Sequence, residues 1–195
     1  MRWERLFDDL EAQLEAASAA ELAGEVSERT RYERGQVTLA DRLVAWVGQP
    51  VRLQLLGGAT IAGRLEQAAQ EWVVVQHGPS VVLVPLSALA DVVGLGVAAS
   101  MIDRQSVPRR LGLTAALRAV ARDRSPVHVE LIDGRAVAGT VDAVGADHLD
   151  LAEHPPDEPR RPGAVLRVHT LPLRAIAAVR PTAGTSTLVG QHVIG

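Results

Sequence analysis

Cysteine and lysine are both absent from this sequence of 195 residues. Without cysteine the chain has no disulfide, no thiolate metal ligand and no cysteine nucleophile. All 20 basic residues are therefore arginine, and only five residues are aromatic, so extended base-stacking platforms are not expected. No run of about 18 apolar residues occurs, which excludes a transmembrane helix.

The remaining composition is typical of a globular protein. Hydrophobic residues make up 47% of the chain, charged residues make up 22%, and the formal net charge is −3. A mildly acidic chain lacks the basic surface expected of a dedicated nucleic-acid binder. The N-terminus is acidic and amphipathic, unlike a signal peptide. We therefore expect a cytoplasmic protein that does not contact the membrane.

The first 35 residues form a separate segment with helical periodicity. The apolar side chains that recur along one face are Trp3, Leu6, Leu10 and Leu14, with Phe7 beside them. Ser18 and Glu21 then form a capping box for a second helix, which ends near Gly35. Two interpretations remain open: a helical hairpin packed on the rest of the chain, or a face for association with itself or with a partner.

The rest of the chain contains an internal repeat. The stretch VRLQLLGGATIAGRL, residues 51–65, matches VHVELIDGRAVAGTV, residues 127–141, at an offset of 76. Further on, VPLSALADV at 84–92 matches LPLRAIAAV at 171–179 at an offset of 87. The second copy thus carries an 11-residue insertion, which falls in the proline-rich, charged stretch 152–164. A repeat of this length with matched turns indicates a duplication.

A β-hairpin is predicted at the start of each copy, because apolar and polar residues alternate on both sides of a turn. Gly58 in the first copy and Asp133-Gly134 in the second supply the tight turns. Gly63 and Gly139 lie inside the second strand of each hairpin, where they predict a sharp bend. A small, strongly bent sheet is expected to close on itself.

These patterns predict a mainly β protein with some α-helix, built from two tandem five-stranded small barrels. A short helix is expected before each barrel, because the apolar residues of LADRLVAWVG and of LTAALRAVARDRS share one face. The predicted boundaries are 1–35 for the N-terminal helical segment, 36–96 for the first barrel, 97–108 for a linker, 109–181 for the second barrel and 182–195 for the tail.

The hairpin and the closing strand of each copy resemble the Sm/Lsm superfamily. The family motif is an alternating strand, Asp-Gly, an internal Gly and then Asp-x-x-(Leu/Met)-Asn, and the second copy reads VELIDGRAVAGTVDAVGADHLDL. The resemblance implies bent five-stranded barrels that join edge to edge through their last two strands. It also implies that the usual nucleotide pocket is missing. Asp150 stands where Asn is expected after Asp147, and neither last loop contains Arg-Gly.

The arginine-rich stretch 104–124 is the candidate contact for an anion or a nucleic acid. Its candidate side chains are Arg109, Arg110, Arg118, Arg122 and Arg124. Arg118 and Arg122 are one helical turn apart and could bind successive phosphates or an acidic partner. The alternative interpretation is a solvated helix face that follows a linker.

No motif for catalysis is present in the sequence. GGATIAG lacks the Lys-Ser/Thr of a P-loop, DHLDLAEH fits a polar strand edge better than a metal site, and no G-x-S-x-G occurs. We therefore predict no enzyme activity, no cofactor and no metal. The first functional hypothesis is a non-enzymatic adaptor or assembly module with protein partners, including itself as a homo-oligomer. The second is an RNA- or DNA-associated regulator that binds through residues 104–124.

Overall fold

The computed structural model describes residues 37–96, 111–155, 160–161 and 163–182. The helices and strands in these ranges belong to one compact unit, residues 39–195. The predicted N-terminal association face and part of the arginine-rich stretch lie outside the described residues; they comprise Trp3, Leu6, Phe7, Leu10, Leu14, Arg109 and Arg110. Within the described ranges, no helix is long and apolar enough to cross a membrane.

Two α-helices and ten strands make up the described part of the chain, in two similar series. The first half contains α1 (Leu39–Ala45), β1 (Pro50–Leu55), β2 (Thr60–Ala68), β3 (Trp72–His77), β4 (Ser80–Pro85) and β5 (Leu89–Val93). The second half contains α2 (Leu113–Asp123), β6 (Val127–Leu131), β7 (Ala136–Val144), β8 (His148–Glu153), β9 (Arg167–Pro172) and β10 (Ile176–Pro181). A 3-10 turn, Leu86–Ala88 or Leu173–Ala175, precedes the last strand of each half.

The ten strands form one open antiparallel sheet in the order β5-β1-β2-β3-β4-β10-β6-β7-β8-β9. The prediction of two closed five-stranded barrels is therefore wrong. A strand has two sides, and β10 uses one for β6 and the other for β4, where Val179 lies opposite Leu83. Because the fourth strand of the first half pairs with the fifth strand of the second half, neither half closes. Strands β5 and β9 are left as the edges of the sheet.

Both hairpin turns contain a glycine at a position that needs one. Gly58 and Gly134 have φ angles of 85° and 84°, a left-handed backbone that residues with a side chain rarely adopt. In the second turn the Asp133 carboxylate accepts hydrogen bonds from the Arg135 backbone N–H at 3.0 Å and from Arg135 Nε at 2.7 Å. The bond from the Arg135 backbone also lowers the pKa of Asp133 below its ordinary value.

Gly63 and Gly139 allow close approach of neighbouring strands; they do not mark the corner of a closed barrel. They lie within β2 and β7. A Cβ atom added there would lie 1.8 Å from the Gln76 carbonyl oxygen and 2.1 Å from the Ala152 carbonyl oxygen. Both oxygens belong to the backbone of the adjacent strand, so a side chain does not fit at either position.

Each half of the chain contributes side chains to the hydrophobic core of the other half. The cluster that contains Leu43 of α1 also contains Ala178 from β10. The cluster that contains Leu117 of α2 also contains Trp72 and Leu83 from the first half. The packing therefore continues across the β4–β10 junction, as the sheet does.

Candidate functional site

The two edge strands, β5 and β9, have no neighbour on their outer sides within the described residues. Exposed apolar side chains accompany them: Val93 on β5 is 54% exposed and Val168 on β9 is 59% exposed. Leu166, just before β9, is exposed as well. Edges with unpaired backbone groups and apolar side chains can accept a strand from a partner. These two edges are the candidate functional site.

At the β4–β10 junction, the strands that correspond to β9 and β5 are paired with each other. β4 and β9 are the fourth strands of their halves, and β10 and β5 are the fifth strands. At the junction Leu83, Ala177, Ala178 and Val179 are all buried. Along β9 most residues are exposed, and along β5 none is buried. Strands β5 and β9 therefore leave exposed the side that β10 and β4, the corresponding strands, bury at the junction.

Strand β5 carries a carboxylate that binds one of its own backbone amides. Asp91 Oδ1 accepts a hydrogen bond from the Val92 N–H at 2.8 Å. The corresponding residue in the second half is Ala178, which is buried at the junction. A charged side chain on an edge strand opposes unspecific strand addition. Asp91 is therefore the residue of β5 that distinguishes this edge from the paired strand β10.

Strand β9 is held to β8 by polar side chains. His169 Nε2 lies 2.8 Å from Glu153 Oε2, and Arg167 Nε lies 3.2 Å from the same oxygen. Thr170 Oγ1 donates a hydrogen bond to Asp150 Oδ1 at 2.7 Å. The bond with His169 lowers the pKa of Glu153 below its ordinary value, and the charge of Arg167 adds to this effect. These contacts position β9 from its inner side.

The stretch DHLDLAEH is held by contacts to neighbouring side chains. Asp147 Oδ1 lies 2.9 Å from His148 Nδ1, and the buried His154 has its Nε2 2.9 Å from Thr140 Oγ1. Among the described residues, no group of three His, Asp or Glu side chains is arranged to hold a metal ion. The polar residues of this stretch thus contribute to the local structure of β8 and its preceding turn.

The Asp147–His148 pair predicts a pH-dependent contribution to stability. Its hydrogen bond raises the pKa of His148 and lowers the pKa of Asp147. A raised histidine pKa stabilises the folded state below about pH 6.5, and the stabilisation is lost as the pH rises through the folded-state pKa. We expect Asp147→Asn to reduce the free energy of unfolding at about pH 5.5 but not at about pH 8.5 in urea denaturation. Equal losses at both pH values would contradict a charged pair.

Three of the predicted arginine contacts, Arg118, Arg122 and Arg124, lie within the described residues. Arg118 and Arg122 are exposed on α2. Arg124 follows the helix in a left-handed conformation, with φ of 58°, and its Nη1 lies 3.8 Å from Asp142 Oδ1. Arg160 contacts both oxygens of the same carboxylate, with Nε and Nη2 each at 2.6 Å. Arg118 and Arg122 therefore face solvent, whereas Arg124 lies beside an acidic residue of its own chain.

A contact that the sequence did not predict joins the first half to the start of α2. The Glu71 carboxylate accepts a hydrogen bond from the Leu113 N–H at 2.7 Å, and Trp72 Nε1 donates to the Leu111 carbonyl oxygen at 2.8 Å. Gly112 at the N-cap position has no side chain to cap the helix. Glu71 supplies this cap from a position 42 residues earlier in the sequence. A capping residue so far from its helix cannot be recognised from the local sequence around α2.

Comparison with known proteins gives no assignment. No family model matches the chain, and no curated protein matches it. The Sm/Lsm resemblance stays a prediction from the sequence, and the barrel closure that it implied is corrected by the open sheet. The edge strands and the exposed arginines of α2 are thus the features from which a function is inferred.

Proposed function

We propose that this chain is a non-enzymatic assembly module that joins protein chains through the open edges of its sheet. The observation that carries the proposal is the contrast between the buried β4–β10 junction and the exposed strands β5 and β9. Unpaired strands bind a further strand through backbone hydrogen bonds, and their side-chain pattern selects the partner. The amphipathic segment 1–35 remains a predicted additional face for association.

The charges near the two edges favour a protein partner over a nucleic acid. Asp91 lies on β5, and on β9 the charge of Arg167 is offset by the Glu153 carboxylate 3.2 Å away. Carboxylates repel the phosphate backbone, whereas they tolerate a polypeptide that brings neutral or basic groups. The formal net charge of −3 also disfavours binding of a polyanion such as a nucleic acid.

Nucleic-acid binding through the arginine-rich stretch is the second candidate function. It is supported by Arg118 and Arg122, which are exposed one helical turn apart on α2, and by Arg109 and Arg110, which precede them in the sequence. Each phosphate contact would contribute roughly 0.7 to 0.9 to the slope of log affinity against log salt. A steep salt dependence is therefore the signature of this function.

Sedimentation velocity of the full chain at micromolar concentration, with and without a random RNA pool, separates the two functions. We expect a species larger than the 20.7 kDa monomer, unchanged by RNA and by the double substitution Arg118→Glu and Arg122→Glu. A monomer that binds the RNA pool with a steep salt dependence, abolished by the same double substitution, would contradict the assembly function. That result would support the second candidate.

A further inference from the structure

We propose that a cavity between the two hairpin turns binds a basic side chain, lysine or arginine, of a protein partner. The cavity has a volume of about 170 Å³ and lies where the first half meets the second. Its lining residues come from β1, β6, β7, β10 and the two turns: Leu55, Gly57, Ala59, Glu130, Leu131, Gly134, Ala136 and Ala177. None of them belongs to β5 or β9, so this site is separate from the sheet edges and does not depend on them.

The two turns pack against each other, and this contact shapes the cavity. A Cβ atom added at Gly57 would lie 3.0 Å from the Leu131 carbonyl oxygen and 3.3 Å from the Ile132 carbonyl oxygen. A residue larger than glycine would press on both backbone oxygens and push the turns apart. The walls of the cavity are therefore main chain and small side chains that the two hairpins hold in place.

Glu130 is the only charged residue among those that line the cavity. Its side chain is 19% exposed, and its Oε1 lies 2.5 Å from Arg180 Nη2. A carboxylate has two oxygens and accepts several hydrogen bonds, so one contact with Arg180 does not exhaust it. A second cation that enters the cavity can bind the same carboxylate, whereas an anion is repelled.

The first half shows that the hairpin itself does not need this charge. Gln54 stands at the position of Glu130, at the repeat offset of 76. Its Nε2 donates a hydrogen bond to the Gly58 carbonyl oxygen at 3.0 Å, and its Oε1 accepts one from Thr60 Oγ1 at 2.6 Å. Both ends of this amide are thus used inside its own hairpin. Glu130 instead directs a negative charge to the place where the two halves meet.

The size of the cavity matches one side chain rather than a whole ligand. An apolar cavity of about 150 Å³ holds benzene, whereas drug-sized ligands occupy pockets of roughly 300 to 1,000 Å³. A group slightly larger than benzene is about the size of a lysine or arginine side chain beyond its Cα atom. Leu55 and Leu131 line the cavity and can pack against the aliphatic stem while the charged head contacts Glu130.

The rim of the cavity favours a polypeptide over a free amine. Each of the two turns exposes one apolar residue: Leu56 is 55% exposed and Ile132 is 38% exposed. They stand at corresponding positions of the repeat, beside the glycines that line the cavity. A buried anchor surrounded by apolar contacts is the usual arrangement of a protein-binding site. The expected partner segment therefore carries a basic residue between apolar residues.

Nuclear magnetic resonance titration of the ¹⁵N-labelled full chain with the peptide acetyl-Leu-Lys-Leu-amide tests the site. We expect the backbone amide signals of Gly57, Ala59 and Gly134 to shift and to saturate. The same peptide with norleucine or glutamate in place of lysine should bind at least roughly tenfold more weakly, because it lacks the charged hydrogen bond to Glu130. Free n-butylammonium, which lacks the flanking leucines, should also bind at least roughly tenfold more weakly.

Four variants assign the binding to this cavity. Glu130→Gln should weaken binding of the lysine peptide by roughly tenfold or more, and Arg180→Gln should tighten it by roughly threefold, because a competing cation is removed. Ala136→Leu fills the cavity from an exposed lining position and should abolish binding with Glu130 still in place. Glu66→Gln is the matched control: it neutralises an exposed carboxylate of β2 outside the lining and should leave the affinity unchanged.

The site is overturned if the lysine and norleucine peptides bind equally, if neither binds, or if binding survives Ala136→Leu. If n-butylammonium binds as tightly as the lysine peptide, the cavity takes a free amine and the protein partner is wrong. Sedimentation judges the assembly function independently. A monomer that binds the lysine peptide retains this site and contradicts only the assembly function, and an assembly that does not bind the peptide contradicts only this site.

Discussion

Gly139→Ala should lower the free energy of unfolding by about 3 kcal/mol, the upper part of the usual range for overpacked sites. The added Cβ atom would lie 2.1 Å from the Ala152 carbonyl oxygen and 3.0 Å from the Glu153 Cα atom. Both are backbone atoms of β8, so no side-chain rotation relieves the overlap and the two strands must separate. Gly63→Ala should have a similar effect, because the Gln76 carbonyl oxygen would lie 1.8 Å from its Cβ atom.

Gly163→Ala is the matched control for both substitutions. No atom lies within 4 Å of a Cβ atom added at this position, so the free energy of unfolding should stay the same or rise by at most about 1 kcal/mol. Urea denaturation gives the midpoint and the m-value for each variant. A Gly139→Ala protein that unfolds at the same urea concentration as the parent would show that β7 and β8 do not approach this closely.

Trp72→Ala should cost about 3 to 5 kcal/mol of stability, as truncations of large buried aromatic residues do. Trp72 is buried in the same cluster as Leu113 and Leu117 of α2. Its Nε1 also donates a hydrogen bond to the Leu111 carbonyl oxygen at 2.8 Å. The substitution therefore removes both the packing and the polar contact by which the first half holds α2.

Two companion variants separate these contributions. Trp72→Phe keeps an apolar ring and removes the hydrogen bond, so we expect a loss of about 1 to 3 kcal/mol, since the Leu111 carbonyl group loses its partner. His148→Ala changes the corresponding position of the second half, where the side chain is 44% exposed, and should leave the free energy of unfolding close to that of the parent at about pH 8.5, where the charged pair with Asp147 no longer contributes. Equal losses for Trp72→Ala and His148→Ala would contradict a special role of Trp72 in holding α2.

The hairpins could be predicted from the sequence, because their signals are local. Alternation marks each strand, and the glycines at 58 and 134 mark each turn within a few residues. The absence of barrel closure could not be predicted in this way, because it depends on which distant strand pairs with the free side of β4. Leu83 and Val179 meet there across 96 residues of chain, and neither residue type specifies a partner.

Differences between the two copies nevertheless carried a signal about the edges. The first copy has an uninterrupted apolar run at 81–84 in β4, which is typical of an interior strand covered on both faces. The second copy has Arg167, His169 and Thr170 in β9, a polar pattern that suits an edge. The similarity between the copies indicates the duplication, whereas these contrasts indicate which of the two fourth strands lies at an edge.

The surroundings of α2 could be predicted only in part. Arg118 and Arg122 follow from helical spacing, and the structure places both on the exposed surface of α2. The contact of Arg124 with Asp142 could not be predicted, because it depends on where α2 ends relative to β7. The Glu71 cap on α2 is equally non-local, since it joins a turn of the first half to a helix of the second.

The position of β10 affects how the chain folds during synthesis. β10 is the last of the described strands to leave the ribosome, yet it lies between β4 and β6 in the middle of the sheet. Roughly 100 residues are translated between β4 and the end of β10, which takes about 5 to 20 s at a synthesis rate of about 5 to 20 residues per second. Throughout that interval the apolar strand β4 is an uncovered edge of a nascent chain. Neighbouring nascent chains on the same messenger RNA can add strands to it, so slow elongation or premature termination before β10 favours misassembly.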